Sequence, residues 1–137
     1  MSLLVDTNIF SELVKPTPDS GVIEWAREHQ ADFHVSTITI GELKYGIAVL
    51  EEGKRKEALQ KWLKETCRIM EGRTLSFNRS VAYVWADLRA SMKRSGHRMP
   101  LADSLIAATA KRHQLAIATR NVDDFNGTGI RVVNPFD

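Results

Sequence analysis

Short apolar runs alternate along the chain with longer segments whose apolar residues recur every three or four positions. Leu3-Leu4-Val5 is the first run; it is cut off by Asp6 and reads as a buried strand. A short helix is predicted over Asn8–Val14, stopped ahead of Pro16. After the turn Pro16-Thr17-Pro18-Asp19-Ser20, the residues Val22, Ile23, Trp25 and Ala26 mark a second helix ending near Gln30. Phe33–Ser36 reads as a second strand. A third helix is predicted from Thr39 to Glu52, with Ile40, Leu43, Ile47 and Leu50 on one face, and Gly53 interrupts it. A fourth runs from Lys54 to Met70 with Leu59, Trp62, Leu63, Thr66 and Cys67 on its apolar stripe, Cys67 being expected as a core thiol.

Thr74–Phe77 suits a short extended piece, after which Asn78 caps a fifth helix carrying Val81, Val84, Trp85, Leu88 and Met92. Ser95-Gly96-His97 ends that helix. Pro100 opens a sixth, whose small residues Ala102, Ala107, Ala108 and Ala110 permit close packing. Leu115–Ala118 and Ile130–Val133 are further strands. Strands that are short apolar runs, alternating with helices, specify an α/β chain whose mostly parallel sheet is covered on both faces. In such sheets sites form beyond the carboxyl ends of the strands, where strand order reverses. Asp6 and the segment Thr119–Phe125 follow strands and are expected on that rim.

Composition narrows the class. A chain of 137 residues, 43% apolar and 26% charged, fits one folded domain spanning 1–137. One cysteine excludes an internal disulfide framework and a Cys-based zinc cluster. Neither a signal peptide nor a membrane span is expected, and the expected compartment is a reducing cytosol. Net charge is only +2, but Arg89, Lys93, Arg94, Arg98, Lys111, Arg112 and Arg120 are opposed in their stretch by Asp103 alone. Such a flank suits a polyanion, although a solvated helix face would have the same composition. The apolar stripe of helices three and four, including Ile47, Leu50, Leu59, Trp62 and Leu63, exceeds what one small core obviously needs. Part of it is expected under a partner or a second subunit.

Gly-rich phosphate loops and a Gly-x-Ser-x-Gly elbow are missing, and His29, His34, His97 and His113 lack metal-ligand spacing. Carboxylates remain. Each has an ordinary structural use. Asp6 can cap a helix, Glu42 can close a capping box with Thr39, Asp103 can favour a helix dipole, and Asp123 and Asp124 can be turn acids. Their joint placement says more. All could meet at one end of the sheet, where clustered carboxylates repel unless a cation neutralises them. Hard oxygen donors without Cys or His suit Mg²⁺ or Mn²⁺, and such ions pair with phosphate oxygens. This points to phosphoryl chemistry on a nucleic acid or nucleotide.

Five segments, in this order, resemble a PIN-domain protein. They are Val5-Asp6-Thr7-Asn8, Ser36-Thr37-Ile38-Thr39-Ile40-Gly41-Glu42-Leu43, Leu101-Ala102-Asp103-Ser104-Leu105-Ile106-Ala107-Ala108-Thr109-Ala110, Ala118-Thr119-Arg120-Asn121 and Val133-Asn134-Pro135-Phe136. The nearest branch is the VapC/FitB-like toxins of bacterial type II toxin–antitoxin pairs, and the likeness spans essentially the whole chain. It implies a three-layer α/β/α sandwich around a mostly parallel sheet of four or five strands. It also implies a Mg²⁺- or Mn²⁺-dependent endoribonuclease that cuts tRNA or rRNA and blocks translation in the bacterial cytoplasm.

The metal ligands carried over are Asp6, Glu42 and Asp103. The implied partners are a VapB-like antitoxin, an RNA substrate, operator DNA through the antitoxin, and a second copy in a homodimer; no membrane is implied. The chain departs from the pattern at Asn121, where an aspartate is usual. Asp124 is one candidate for the fourth acidic position and Asn121, through its carbonyl oxygen, the other. Thr7, Asn8 and Thr119 are candidate supporting donors. The alternative reading is a catalytically weak PIN-fold module that holds nucleic acid or antitoxin.

Overall fold

Leu3, Leu4 and Val5 are completely buried, and they form the central strand of the sheet. The computed structural model describes residues 1–136. Strand β1 (Leu3–Val5) lies between β2 (Phe33–Ser36) and β4 (Ala116–Ala118); β3 (Thr74–Leu75) and β5 (Val132–Val133) form the two edges. All four pairings are parallel, with Leu3 opposite both Phe33 and Ala116. The order β3-β2-β1-β4-β5 makes β1 the strand at which the winding reverses. The five-stranded sheet is therefore fully parallel, at the upper end of the four to five strands expected.

Six helices cover it: α1 (Thr7–Leu13), α2 (Ser20–His29), α3 (Thr37–Ala48), α4 (Lys54–Ile69), α5 (Arg79–Arg94) and α6 (Leu101–His113). Side chains alternate along each strand and feed two cores. Leu3, Val5, Ala116 and Ala118 join Ile9, Phe10, Val22, Leu43, Ile47 and Leu63 on the α1–α4 face. Leu4 and Ile117 join Leu88, Met92, Ile106, Ala107 and Phe125 on the α5–α6 face. This is the three-layer α/β/α sandwich that the resemblance implies. On the second face α5 and α6 pack closely because Ser104 and Ala107 are small; Trp85 Nε1–H donates to Ser104 Oγ at 2.9 Å between them.

Three expectations are corrected. Helix α3 begins at Thr37 with Ser36 as its cap, the Ile38 N–H donating to Ser36 Oγ at 3.0 Å. A Thr39–Glu42 capping box therefore does not form. The same helix ends at Ala48 and not at Glu52. Lys56 folds back there, its ammonium donating to the carbonyls of Ala48 and Leu50 at 3.2 Å each and to Glu52 at 2.7 Å. These bonds satisfy carbonyls that a longer helix would have used.

Part of the α3–α4 stripe was expected under a partner, and most of it belongs to the chain's own core. Ile47 and Leu63 are buried, and Leu59, Trp62 and Cys67 pack against them. Leu50 of that stripe stays exposed, with Val49 beside it just beyond the end of α3 and Tyr45 on the helix itself. Among the described residues, no helix is long and apolar enough to cross a membrane.

Candidate active site

Asp6 follows the central strand at the point of reversal, so its side chain emerges on the rim where crevices form in parallel sheets. Its backbone N–H still donates to the Ala118 carbonyl at 2.9 Å, which ties it to the end of β4. The carboxylate is 5% exposed and held at both oxygens. Oδ1 accepts the Thr7 N–H at 2.8 Å, capping α1, and Oδ2 accepts the Thr119 hydroxyl at 2.8 Å. Thr119 Oγ in turn accepts from Asn8 Nδ2 and from the Asn121 N–H, each at 3.0 Å. Asn8 Oδ1 accepts the Arg120 N–H at 3.1 Å. Thr7, Asn8 and Thr119 thus lock the β1 and β4 ends into one rigid unit.

The other acids arrive from separate elements. Glu42, exposed in the second turn of α3, accepts the Thr7 hydroxyl at 2.6 Å. Asp103 stands in the first turn of α6, half-buried, with the Asp124 carboxyl close enough to push its pKa up. Asp124 belongs to a short 3-10 turn, Val122–Phe125, in which Phe125 is driven into the core and fixes the direction of its neighbours. Asp6, Glu42, Asp103 and Asn121 line one open cavity of about 360 Å³ together with Lys15 and Arg120. Of the two candidates for the fourth position, Asn121 is on the cavity wall, and Asp124 is outside that lining but close enough to push up the Asp103 pKa.

The electrostatics are those of crowded carboxylates. Burial pushes the Asp6 carboxyl above its usual range; its bonds from Thr119 and Thr7 pull it down, and the charges of Glu42 and Asp124 push it up again. Asp103 is pushed up to about 7, by burial first, then by the charge of Asp6, the neighbouring Asp124 carboxyl and the charge of Glu42. A cation placed among these groups would relieve every one of those charge terms.

Among the described residues no three His, Cys, Asp or Glu side chains are drawn into a finished ion cage. The acids instead stand around an open cavity. That spacing and the all-oxygen donor set suit Mg²⁺ or Mn²⁺, since Mg²⁺ keeps several waters and takes one or two carboxylates. The residues present fit such an ion.

Ser11, Glu12 and Lys15 on the wall were not singled out from the sequence, and Arg120 was placed on the rim and in the basic stretch without a role at the site. The signal for Arg120 was its place directly after Thr119 at a strand's carboxyl end. The basic stretch itself divides. Arg89 is half-buried and donates to the Met99 carbonyl at 2.8 Å, so it braces the α5–α6 connection and is not a free phosphate contact. Lys93, Arg94 and Arg98 are exposed, and Arg89, Lys93, His97 and Arg98 surround a separate hollow of about 600 Å³ that holds no carboxylate. A third hollow, of about 620 Å³ between α3 and α4, has Glu57 as its only acid and no acidic cluster.

Comparison with known proteins agrees with this architecture. Residues 3–129 match the PIN domain family. The chain is 38% identical over 136 residues to Toxin FitB of Neisseria gonorrhoeae, covering 98% of each chain. It is 36% identical over 137 residues to VapC ribonuclease Y4jK of Sinorhizobium fredii, again covering 98% of each. Among solved structures, FitAB bound to the IR36 DNA fragment superposes with a TM-score of 0.93 at 35% identity, covering 98% of this chain and 96% of the other.

Proposed function

Because this chain belongs to the PIN-domain family, we propose that it is a metal-dependent endoribonuclease and the toxin of a type II toxin–antitoxin pair. The observation that carries the reading is the meeting of Asp6, Glu42 and Asp103 around one cavity at the reversal point of the sheet. The names of the relatives, a toxin and a ribonuclease, support the activity. The FitAB complex on DNA supports an antitoxin partner and operator contact through it. The substrate is cellular RNA, tRNA or rRNA, whose loss blocks translation in the cytoplasm of a bacterial host. Exposed Tyr45, Val49 and Leu50 suit burial by the antitoxin or by a second copy in a homodimer.

Asp6 and Asp103 would hold the Mg²⁺ or Mn²⁺, with Glu42 beside them. Bound there, the ion supplies Lewis acidity that lowers the pKa of a water and neutralises charge on the phosphodiester. Asp6 is presented rigidly because Thr7 and Thr119 occupy its oxygens from the protein side. Glu42, steadied by the Thr7 hydroxyl, accepts the proton of the attacking water at its other carboxylate oxygen. Asp124 stands beside Asp103 and supplies the charge that Asn121 lacks.

The test is cleavage of bulk RNA with Mn²⁺ against EDTA, by wild type, Asp103→Asn, Asp124→Ala and Asp123→Ala. Wild type should cleave only with metal, Asp103→Asn should lose at least about 100-fold, and Asp124→Ala about tenfold or more. Asp123→Ala should stay near wild type, since Asp123 makes no contact with the cluster. Cleavage that persists in EDTA, or in Asp103→Asn, refutes the assignment.

A further inference from the structure

The acidic cavity has a basic wall. Besides Glu12, which is paired with Lys15, the carboxylates of Asp6, Glu42 and Asp103 line one space, and they repel an incoming phosphodiester as strongly as they attract a cation. Lys15 and Arg120 line the same cavity, and they are held in different ways. Lys15 is committed: its ammonium lies 2.8 Å from Glu12, a carboxylate only 6% exposed that also accepts the Asp19 N–H at 2.8 Å.

Arg120 is fixed through its backbone by Asn8 and through its guanidinium by the ring of Phe136, whose centroid lies 4.6 Å away. Phe136 packs in turn against the α1–α4 core. A guanidinium lying on an aromatic face keeps its in-plane N–H donors available, and those donors match two oxygens of a phosphate. Stacking fixes the plane without occupying the fork.

We propose that Arg120 is a catalytic residue that grips the non-bridging oxygens of the scissile phosphodiester, with Phe136 as the positioning residue that orients it. This rests on the endoribonuclease reading of the cavity. In the step it serves, a water oxygen bonds to phosphorus and the bond to one bridging oxygen breaks. Glu42 takes a water proton, and the leaving oxygen is protonated by solvent. Negative charge on the non-bridging oxygens rises during this exchange, so a preplaced fork binds the transition state more tightly than the ground state. Residues from opposite ends of the chain meet to build it: Asn8 after β1, Arg120 after β4, and Phe136 after β5.

The experiment combines cleavage kinetics in Mn²⁺ with binding of a short fluorescent single-stranded RNA in EDTA across a salt series. Arg120→Ala should lower kcat/KM about 100-fold. Its RNA-binding salt slope should fall by about 0.7, the value for one lost phosphate contact on a single strand. Mn²⁺ affinity measured by calorimetry should be unchanged. Arg120→Lys should restore the salt slope and leave kcat low, since an ammonium lacks the fork.

Phe136→Leu should lower kcat about tenfold with KM unchanged, and should add nothing in the Arg120→Ala background. Wild-type cleavage matched by Arg120→Ala, or an unchanged salt slope, overturns this inference alone. A Phe136→Leu effect that persists without Arg120 overturns the positioning role. Wild-type protein that cleaves no RNA overturns the inference together with the reading on which it rests.

Discussion

Replacing Asp103 by Asn should stabilise the metal-free protein while abolishing its activity. The Asp103 carboxyl is pushed from its ordinary 3.8 to about 7 by burial and by Asp6, Asp124 and Glu42. Between those values the folded chain holds a proton that the unfolded chain has released. Stability contributed by this group therefore falls as pH rises through that window, and the loss is complete above the folded value. The full shift corresponds to about 4 kcal/mol. Asp103 lines an open, solvent-accessible cavity where solvent screens its neighbours, so about 2 kcal/mol should reach the folding free energy. Asn carries no charge at any pH and can donate to Asp124, so it recovers that amount.

In EDTA at about pH 8 the variant should melt about 6 °C above wild type, and at about pH 5 the advantage should shrink to about 2 °C. Mn²⁺ should raise the wild-type midpoint at the higher pH and the variant's much less, because binding only the folded state adds stability by mass action. Circular dichroism melts at both pH values settle the matter. A variant less stable than wild type at the higher pH would mean that Asp103 is a helix-favouring acid, not a repelled member of a cluster. An advantage equal at both pH values would remove the electrostatic cause.

Two further outcomes follow from other parts of the molecule. Thr39 is fully buried and its hydroxyl has no hydrogen-bond partner, so Thr39→Val, which keeps the shape, should stabilise by about 1 kcal/mol in a denaturant titration; a comparable loss would show that the hydroxyl is satisfied after all. Alanine at Lys93, Arg94 and Arg98 together should leave folding unchanged and lower the salt slope of RNA binding by about 2, at about 0.7 per single-strand phosphate; an unchanged slope would reduce this stretch to a solvated surface.

The strands were the most legible part of the chain. Leu3–Val5 is found where its apolar run places it, because a strand buried on both faces favours a continuous apolar run, and Phe33–Ser36 forms as expected although His34 and Ser36 interrupt its apolar residues. Helix limits depended on contacts that spacing does not reveal. Ser36 and Thr39 are equally good caps in sequence; Ser36 is used because β2 ends there, and the chain turns at once into α3. Lys56 ended that helix from the next one, a contact set by how Gly53 turns the chain. The α3–α4 stripe looked excessive because the sheet face it covers, Leu3, Val5, Ala116 and Ala118, comes from the two far ends of the chain.

The site shows why a structural use of a residue and a chemical use need not compete. Asp6 caps α1 through one oxygen and is anchored by Thr119 through the other, so the features that make it a good cap also hold it still for a ligand. Its ordinary reading was therefore correct and incomplete. Glu42 differs: its supposed capping role fails because α3 starts two residues earlier, and its partner is the Thr7 hydroxyl, next to Asp6. What the sequence could not give was the opposite wall. Arg120 and Phe136 are drawn together by the β4–β5 pairing of Ala118 with Val133, which carries the two following segments out over the same rim. A parallel sheet collects acids at its carboxyl edge because every strand ends there. The same register lets it collect the cation that faces them.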